Sequence, residues 1–251
     1  MDLFNRQWST YRQIVDHDLM EHRALSAELA KALTSYLQQR QAKAEAEAEA
    51  EAEAGGINGN PNLAMVDLGC GDLALLAPLL RQLPLSSYLG LDLSPQVLPL
   101  ARQALGPVAY SCQFQQQNLI NWAQTHQGEP PVQLLHSSYA FHHLSDQAKG
   151  DFLRQARQKI SGDGLFLWAD VFRQPGESLA NYLLRYSQRI NSSWQVIETS
   201  HRDAVIHHIT NFDLPADREQ IVAIASACGW RWQWLWQGSQ QAEALAALTP
   251  V

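Results

Sequence analysis

One short stretch, Val66-Asp67-Leu68-Gly69-Cys70-Gly71-Asp72, gives the clearest indication of the architecture. Residues 64–68 form an apolar run that only Asp67 interrupts, which predicts a short buried strand. The two glycines that follow can adopt backbone conformations that other residues avoid, and they let a ligand approach the chain closely. The stretch therefore predicts a strand that ends in a tight, ligand-accessible loop.

Apolar segments of strand length alternate with helical segments after this loop. We predict helices at residues 72–82, 95–105 and about 145–160, and strands at residues 88–91, 109–114, 132–136 and 164–170. Such alternation is typical of a parallel sheet with helices on both faces, which binds its ligands at the carboxyl ends of the strands.

The first 60 residues are predicted to lie outside the sheet. Leucines recur at roughly helical spacing between Tyr11 and Gln41, which predicts a helix there. Residues 43–54 alternate Ala and Glu, which favour helix over strand, so this tract is either a solvated helical extension or disordered. Residues 55–61 predict a flexible linker. We therefore separate an N-terminal segment, residues 1–60, from a main domain, residues 61–251.

The C-terminal part is predicted to add a helical insertion and a final hairpin. The insertion spans about residues 171–216, and a helix at residues 215–228 follows, which Gly229 ends. Four tryptophans then alternate with other residues, as expected of a strand: Trp230, Trp232, Trp234 and Trp236. We interpret this stripe as sheet packing rather than a ligand-binding box. Residues 242–248 are expected to return as the antiparallel partner.

These elements together predict an α/β fold. We expect a doubly wound, mostly parallel seven-stranded sheet with an antiparallel last strand. An N-terminal helical extension and a helical insertion after strand 5 complete the predicted architecture.

Composition and charge argue against several classes of partner. The formal net charge is −7 and Lys and Arg form no basic cluster, so we expect no nucleic-acid partner. Cys70, Cys112 and Cys228 match no metal-binding spacing and suit a reducing cytoplasmic location. The apolar runs are too short to span a bilayer, so no membrane partner is expected. The sequence does not indicate an oligomeric state.

Two carboxylates indicate what kind of ligand the loop receives. Asp67 lies at the end of the first strand, where it would repel a pyrophosphate but attract an ammonium or sulfonium group. Asp92 ends the second strand, where a carboxylate can accept both hydroxyls of a ribose, or alternatively cap the next helix. Gly69, Gly71 and Ala74 also match the spacing of a dinucleotide loop, so a nicotinamide cofactor stays an alternative.

Five segments in the same order resemble those of class I S-adenosylmethionine-dependent methyltransferases: residues 67–71, 90–94, 114–119, 136–144 and 160–165. The resemblance covers about residues 64–170 and the C-terminal hairpin. It departs from the usual pattern at Leu73, where a third glycine is common.

This resemblance implies S-adenosylmethionine as cofactor, S-adenosylhomocysteine as product, and a set of binding residues. Within that set, Asn118 is expected to reach the adenine amine, because an amide oxygen can accept its hydrogen bond. The implied cofactor-binding residues are Asp67, Gly69, Gly71, Asp92, Leu93, Asn118, Leu119 and Ser137.

Histidines are the candidate bases, since their pKa lies nearest to neutral pH. His142 and His143 follow the fourth strand and are our candidate catalytic residues, although His143 can also serve only to pack or cap a helix. In similar enzymes an N-terminal helix closes over the cofactor, which makes Tyr11 and His17 candidate substrate contacts.

The predicted insertion carries a further histidine cluster. His208 is our candidate substrate contact there, with His201 and His207 nearby. These histidines with Asp203 and Asp213 match no known metal-ligand spacing, so we predict no metal.

The sequence thus predicts an enzyme that transfers a methyl group to an O, N or C atom of a small molecule. Two alternatives remain open at this stage. One is an NAD-dependent oxidoreductase that uses the same glycine loop, and the other is an adenosyl-binding module without catalysis.

Overall fold

A computed structural model describes residues 8–54, 63–125 and 131–251. The predicted linker at residues 55–61, and with it the boundary between residues 60 and 61, lies outside the described residues. The three cysteines are free thiols. No helix within the described ranges is long and apolar enough to cross a bilayer.

An eight-stranded sheet forms the centre of the fold. Its strands are β1 (Ala64–Leu68), β2 (Ser87–Asp92), β3 (Ser111–Gln116), β4 (Val132–Ser138), β5 (Ile160–Arg173), β6 (Ala216–Asp217), β7 (Trp230–Gln237) and β8 (Glu243–Pro250). They run in the order β3-β2-β1-β4-β5-β8-β7, and the short β6 pairs with β5. β8 pairs antiparallel with both β5 and β7, whereas β1 to β5 are parallel. The predicted doubly wound sheet with an antiparallel last strand is confirmed.

The helices are α1 (Trp8–Asp16), α2 (His22–Ala54), α3 (Ala77–Leu80), α4 (Val97–Leu105), α5 (Leu119–Thr125), α6 (Asp146–Ala156), α7 (Leu179–Ser193), α8 (Thr199–Phe212) and α9 (Arg218–Ala227). A 3₁₀ turn at Phe141–His143 follows β4. α2 continues through the Ala/Glu tract, in agreement with the helical alternative for these residues.

Apolar side chains cover both faces of the sheet. On one face, α2, α3 and α4 pack on β-strand residues such as Met65, Tyr88 and Leu134. On the other face, α5, α6 and α9 pack on residues such as Val66 and Leu135. Because successive strand side chains point to opposite faces, this division fixes the face to which each functional side chain belongs.

A third apolar cluster holds the predicted insertion in place. α7 and α8 contribute Tyr186, Ile190 and Ile209, which pack with Ile14 of α1 and Val171 of β5. The N-terminal helix and the insertion therefore lie together at the end of β5.

The predicted N-terminal helix is divided in two. α1 ends at Asp16, and α2 begins only at His22. Asp18 and Glu21 have positive φ angles of 56°, and the Asp18 carboxylate accepts a hydrogen bond from the backbone N–H of Arg23. This side-chain acceptor offers the backbone an alternative to the helical pattern and so interrupts the helix. The leucine spacing does not reveal the interruption, which is why it predicted one continuous helix.

The helix predicted at residues 72–82 is also wrong in extent, since only Ala77–Leu80 is helical. Leu73 has a φ angle of 58°, and the Asp72 carboxylate accepts a hydrogen bond from the backbone N–H of Ala74. Leu73 thus takes the left-handed conformation at the position where a third glycine is common, and a turn replaces the first part of the helix.

The tryptophan stripe packs against the sheet, as predicted. Trp230 is fully buried, and Trp232 and Trp234 pack against the same apolar cluster. The pairing of β7 with β8 shifts between Trp234 and Trp236, and this bulge turns Trp236 toward the opposite face.

Candidate active site

The carboxyl ends of β1 and β2 bring Asp67 and Asp92 to the same face of the sheet. Asp67 pairs in register with Gly90, and Asp92 follows two residues later. Residues two apart on a strand share a face, so both carboxylates lie on the face that α2, α3 and α4 cover.

The glycine loop bends sharply between these two carboxylates. Gly69 and Gly71 have φ angles of 80° and 55°, and the N–H groups of Gly69 and Cys70 both donate to the Leu91 carbonyl at 2.8 Å. A Cβ on Gly69 would lie 2.7 Å from the Cβ of Ala140, a distance that no side chain tolerates. The loop therefore needs glycine both for its backbone angle and for contact with the segment after β4.

Asp92 connects the end of β2 to the glycine loop. Its Oδ2 accepts a hydrogen bond from the Gly71 N–H at 2.9 Å, and its Oδ1 accepts one from the Ser94 N–H at 2.8 Å. Burial raises the pKa of Asp92, the two N–H donors oppose this change, and the nearby charge of Asp67 adds to the rise. Each oxygen has a second lone pair, so the carboxylate can still accept hydrogen bonds from a ligand.

Asp67 is engaged within the protein. It is 1% exposed, its Oδ2 accepts a hydrogen bond from the Tyr88 hydroxyl at 2.8 Å, and its Oδ1 lies 2.7 Å from Nδ1 of His136. The Nε2 atom of His136 is buried and has no hydrogen-bond partner among the described residues. Direct contact between Asp67 and a cofactor stays a prediction, and His136 is the neighbouring group with an unused polar atom.

The other predicted cofactor residues lie at or near the same strand ends. Leu93 follows Asp92 and is 43% exposed, which leaves an apolar surface beside that carboxylate. Asn118 accepts a hydrogen bond from the Ile120 N–H at the start of α5, next to the half-buried Leu119. The fully buried Ser137 donates its hydroxyl hydrogen bond to the Leu68 carbonyl at 2.8 Å. Their contacts with a cofactor stay predictions.

Helix α1 lies against the glycine loop. Arg12 forms an ion pair with Asp72 of the loop, with Nη1 and Oδ2 3.2 Å apart. Burial raises the pKa of Tyr11, and the charges of Asp72 and Asp92 contribute to this rise. Tyr11 therefore lies near the predicted cofactor site, whereas His17 is exposed in the turn after α1. Substrate contact by either residue stays a prediction.

His142 is held by a buried carboxylate at the end of β5. Its Nδ1 lies 2.6 Å from Oδ1 of Asp170, a residue that is 1% exposed. Asp170 also accepts hydrogen bonds from the backbone N–H groups of Phe141, His142 and Val171 and from the indole of Trp168. A carboxylate surrounded by hydrogen-bond donors is ionised, so Asp170 acts only as an acceptor. Nδ1 of His142 therefore carries the proton, and its Nε2 faces away from Asp170.

The pKa values of this pair agree with that assignment. Burial alone raises the pKa of Asp170, but its contacts with His142 outweigh burial and hold the pKa below its usual value. Burial alone lowers the pKa of His142, yet the charges of Asp170 and Asp213 hold it above its usual value.

Asp213 brings three histidines together. Its Oδ1 lies 3.4 Å from Nδ1 of His143, 3.7 Å from Nε2 of His208 and 3.8 Å from Nε2 of His142. Asp213 immediately follows α8 and is 8% exposed. The structure thus joins His142 and His143 to His208 of the insertion, although they are distant in the sequence.

The remaining polar residues of the insertion do not join this cluster. His207 is exposed and contacts Asn211, one turn further along α8, and Asp203 is exposed as well. Of the five insertion residues considered from the sequence, only His208 and Asp213 lie beside the 3₁₀ turn.

The sequence analysis missed two residues that organise the site. Asp170 ends an apolar run in β5, which is the same signal that drew attention to Asp67 and Asp92. Arg12 has no such signal, because its partner Asp72 is distant in the sequence.

The fold is a doubly wound α/β domain, and this arrangement lies at the carboxyl ends of its parallel strands, where such domains bind ligands. Residues 66–166 match a family described as a methyltransferase domain. A comparison of the sequence with curated proteins gives no match.

Several solved structures share the fold. The plantazolicin methyltransferase BpumL, solved with a desmethylPZN analog and SAH, aligns with a TM-score of 0.63 and 12% identity over 99% of this chain and 93% of its own. A possible exported protein from Bordetella parapertussis gives a TM-score of 0.53 and 13% identity over 76% of this chain and 63% of its own. The mitomycin 7-O-methyltransferase MmcR gives a TM-score of 0.50 and 16% identity over 76% of this chain. The chain spans only 49% of that enzyme, and less than two thirds of the Bordetella protein.

Residues 66–166 are therefore similar to a methyltransferase domain, and solved methyltransferase structures share the fold of this chain.

Proposed function

We propose that this protein is an S-adenosylmethionine-dependent methyltransferase, that it methylates an O, N or C atom of a small molecule, and that the acceptor loses its proton beside His142 and His143. The contact of Gly69 with Ala140 carries this proposal. It joins the loop beside Asp92 to the segment that bears His142, two residues further on, so the proposed cofactor and acceptor sites adjoin.

The chemistry requires little beyond alignment and proton removal. The acceptor atom attacks the methyl carbon, the carbon–sulfur bond breaks, and its electron pair stays on sulfur to give S-adenosylhomocysteine. Because the sulfonium is already activated, the protein mainly holds the acceptor in line with it. The acceptor's proton passes to an imidazole nitrogen of His142 or His143, which are the proposed catalytic residues. Asp170 is a positioning residue, since it acts through His142.

The residues proposed to hold the cofactor are those at the ends of β1, β2 and β4. Asp92 accepts the ribose hydroxyls, while Gly69 and Gly71 admit the amino-acid portion close to the backbone. Leu93, Asn118 and Leu119 surround the adenine. Asp67 and Ser137 support the glycine loop. Tyr11, His17 and His208 are proposed to approach the acceptor.

A metabolite screen with a labelled methyl donor tests the proposal. We expect at least one small molecule to gain a single methyl group, and His142→Gln and His143→Gln to lower that rate at least tenfold with S-adenosylhomocysteine affinity unchanged. His207→Gln, which alters an exposed histidine, is the matched control and should retain full activity. Cofactor binding with no transfer to any acceptor would favour the non-catalytic alternative, and binding of NAD in its place would favour the oxidoreductase.

A further inference from the structure

The Oδ1 atom of Asp213 is buried and has no hydrogen-bond partner within the described ranges, although three imidazole nitrogens lie within 4 Å of it. A carboxylate oxygen that is buried without a hydrogen bond loses its contact with water and gains no partner in exchange, which is costly. The nitrogens approach Asp213 without forming hydrogen bonds to it. This arrangement suggests that the donor atoms share a common partner that lies between them.

Three donors of this cluster are compatible with a cation. One atom each from His142, His143 and Asp213 lie within 4.8 Å of one another. In a tetrahedral zinc site, with bonds of about 2.0–2.1 Å, ligand atoms lie roughly 3.3–3.4 Å apart. The distance from Nδ1 of His143 to Oδ1 of Asp213 is already 3.4 Å, and that from Nε2 of His142 is 3.8 Å. The remaining separation is within 4.8 Å, so the two imidazoles have to move closer together to complete the geometry.

The surroundings of His142 match those of a metal ligand. Asp170 receives Nδ1–H and so leaves the lone pair of Nε2 directed at Asp213. A histidine that binds a metal through one nitrogen commonly donates its other N–H to a carboxylate, which fixes its tautomer and orientation. If no cation is bound, the Nε2 lone pair of a neutral His142 faces the Oδ1 atom of Asp213, and the two repel each other.

The segments that carry the ligands are held firmly. The buried ammonium of Lys149 donates to the carbonyls of Leu144 and Leu214, both at 2.6 Å. These two carbonyls directly follow His143 and Asp213 in the chain. One buried lysine thus ties together the two segments that supply the proposed ligands.

We propose that His142, His143 and Asp213 bind a divalent cation of the zinc type, which prefers imidazole ligands. The sequence prediction of no metal rested on spacing within the insertion, whereas this site combines the insertion with the turn after β4. Three protein ligands leave one position open. Resting on the proposed methyl transfer, we assign that position to an oxygen of the acceptor. With the cation bound, His142 and His143 are its ligands rather than bases, and the hydroxyl proton of the acceptor passes to solvent water as the oxygen coordinates the cation. The acceptor class is then narrowed from O, N or C to a hydroxyl oxygen.

Titration of the chelator-treated, full-length protein with Zn²⁺ tests the site. We expect one Zn²⁺ to bind per chain, Mg²⁺ not to bind, and the visible spectrum of a Co²⁺-loaded sample to show intense tetrahedral bands. His143→Gln and Asp213→Asn should weaken Zn²⁺ binding at least tenfold, and Asp170→Asn by about 10–100-fold. His207→Gln, on the same helix as His208, should bind Zn²⁺ as the native chain does.

The same samples are titrated with S-adenosylhomocysteine, which separates the two proposals. Two results overturn the metal site alone. In the first, the native chain binds S-adenosylhomocysteine but no Zn²⁺. In the second, the His143→Gln variant binds Zn²⁺ as tightly as the native chain does. Because the His143 side chain is 41% exposed, its substitution should leave the fold intact. Protein that binds Zn²⁺ but methylates no acceptor retains the metal site and overturns the proposed function.

Discussion

Gly69 contacts Ala140 so closely that a Cβ at residue 69 would lie 2.7 Å from the Ala140 Cβ. Gly69→Ala should therefore displace the glycine loop and weaken S-adenosylhomocysteine binding at least tenfold, since the φ angle of 80° adds strain as well. Isothermal titration calorimetry measures the change. Gly162→Ala is the matched control, because Gly162 is exposed and a Cβ there meets nothing within 4 Å. Equal affinity in the two variants would show that the loop does not need glycine at this position.

Tyr88→Phe should destabilise the fold by leaving Asp67 Oδ2 without its hydrogen bond. Because both side chains are 1% exposed, we expect a loss of about 1–3 kcal/mol in the free energy of unfolding, measured by urea denaturation. Tyr110→Phe removes a half-exposed hydroxyl that donates to the Leu80 carbonyl, and it should cost less. A Tyr88 variant no less stable than the Tyr110 variant would contradict the proposed role of the buried Asp67 network.

His22 makes the stability depend on pH. Burial lowers the pKa of His22 to about 4, whereas an unfolded histidine titrates near 6.5. The unfolded chain therefore binds an extra proton between these values, so stability is complete above pH 6.5 and falls as the pH drops toward 4. The full difference is about 3 kcal/mol, since each pKa unit corresponds to ~1.4 kcal/mol.

Comparison with His22→Phe isolates this contribution from the other titrating groups. Phe keeps a ring against Tyr139, whose ring centre lies 5.4 Å from that of His22. The variant should lose less stability than the native chain between pH 6.5 and pH 4 in urea denaturation, while His17→Gln, at an exposed position, should behave as the native chain does. A native-minus-variant difference that stays constant over this range would refute the assignment.

Arg12→Gln should loosen α1 from the glycine loop by removing the ion pair with Asp72. Arg12 is 41% exposed, and exposed pairs contribute about 0.2–1 kcal/mol, so we expect S-adenosylhomocysteine affinity to fall by no more than about fivefold. The difference from the native chain should shrink at high salt, which screens exposed charges. Arg154→Gln removes an exposed pair on α6 and is the control. Identical affinity for Arg12→Gln and the native chain at low salt would show that this tether does not support the cofactor site.

Local signals in the sequence predicted the sheet and the proximity of the two carboxylates of the candidate site. Asp67 and Asp92 each end an apolar strand, and parallel strands bring such ends together, so their proximity follows from the alternation of elements alone. The turn at Leu73 and the break at Asp18 were not predictable from periodicity, because positive φ angles there depend on side-chain hydrogen bonds and on packing.

The histidine cluster required the tertiary structure. His142 and His208 carry no shared sequence pattern, and they meet only because the insertion packs against β5 and the turn after β4. Spacing rules for metal ligands describe donors within one or two elements, so they do not apply to a set divided between the turn and the residue after α8.

The most direct measurement compares S-adenosylhomocysteine binding by the native chain and Asp92→Ala in the same calorimeter, with Asp151→Asn as the control, because the Asp151 side chain on α6 is half exposed. Asp92 is proposed to hold the ribose, and hydrogen bonds to a charged group contribute about 1.5–3 kcal/mol, so affinity should fall about 10–100-fold. The native chain should bind S-adenosylhomocysteine at one site and NAD not at all. Unchanged affinity in Asp92→Ala, with the native chain still binding, would place the cofactor elsewhere and contradict the site described above.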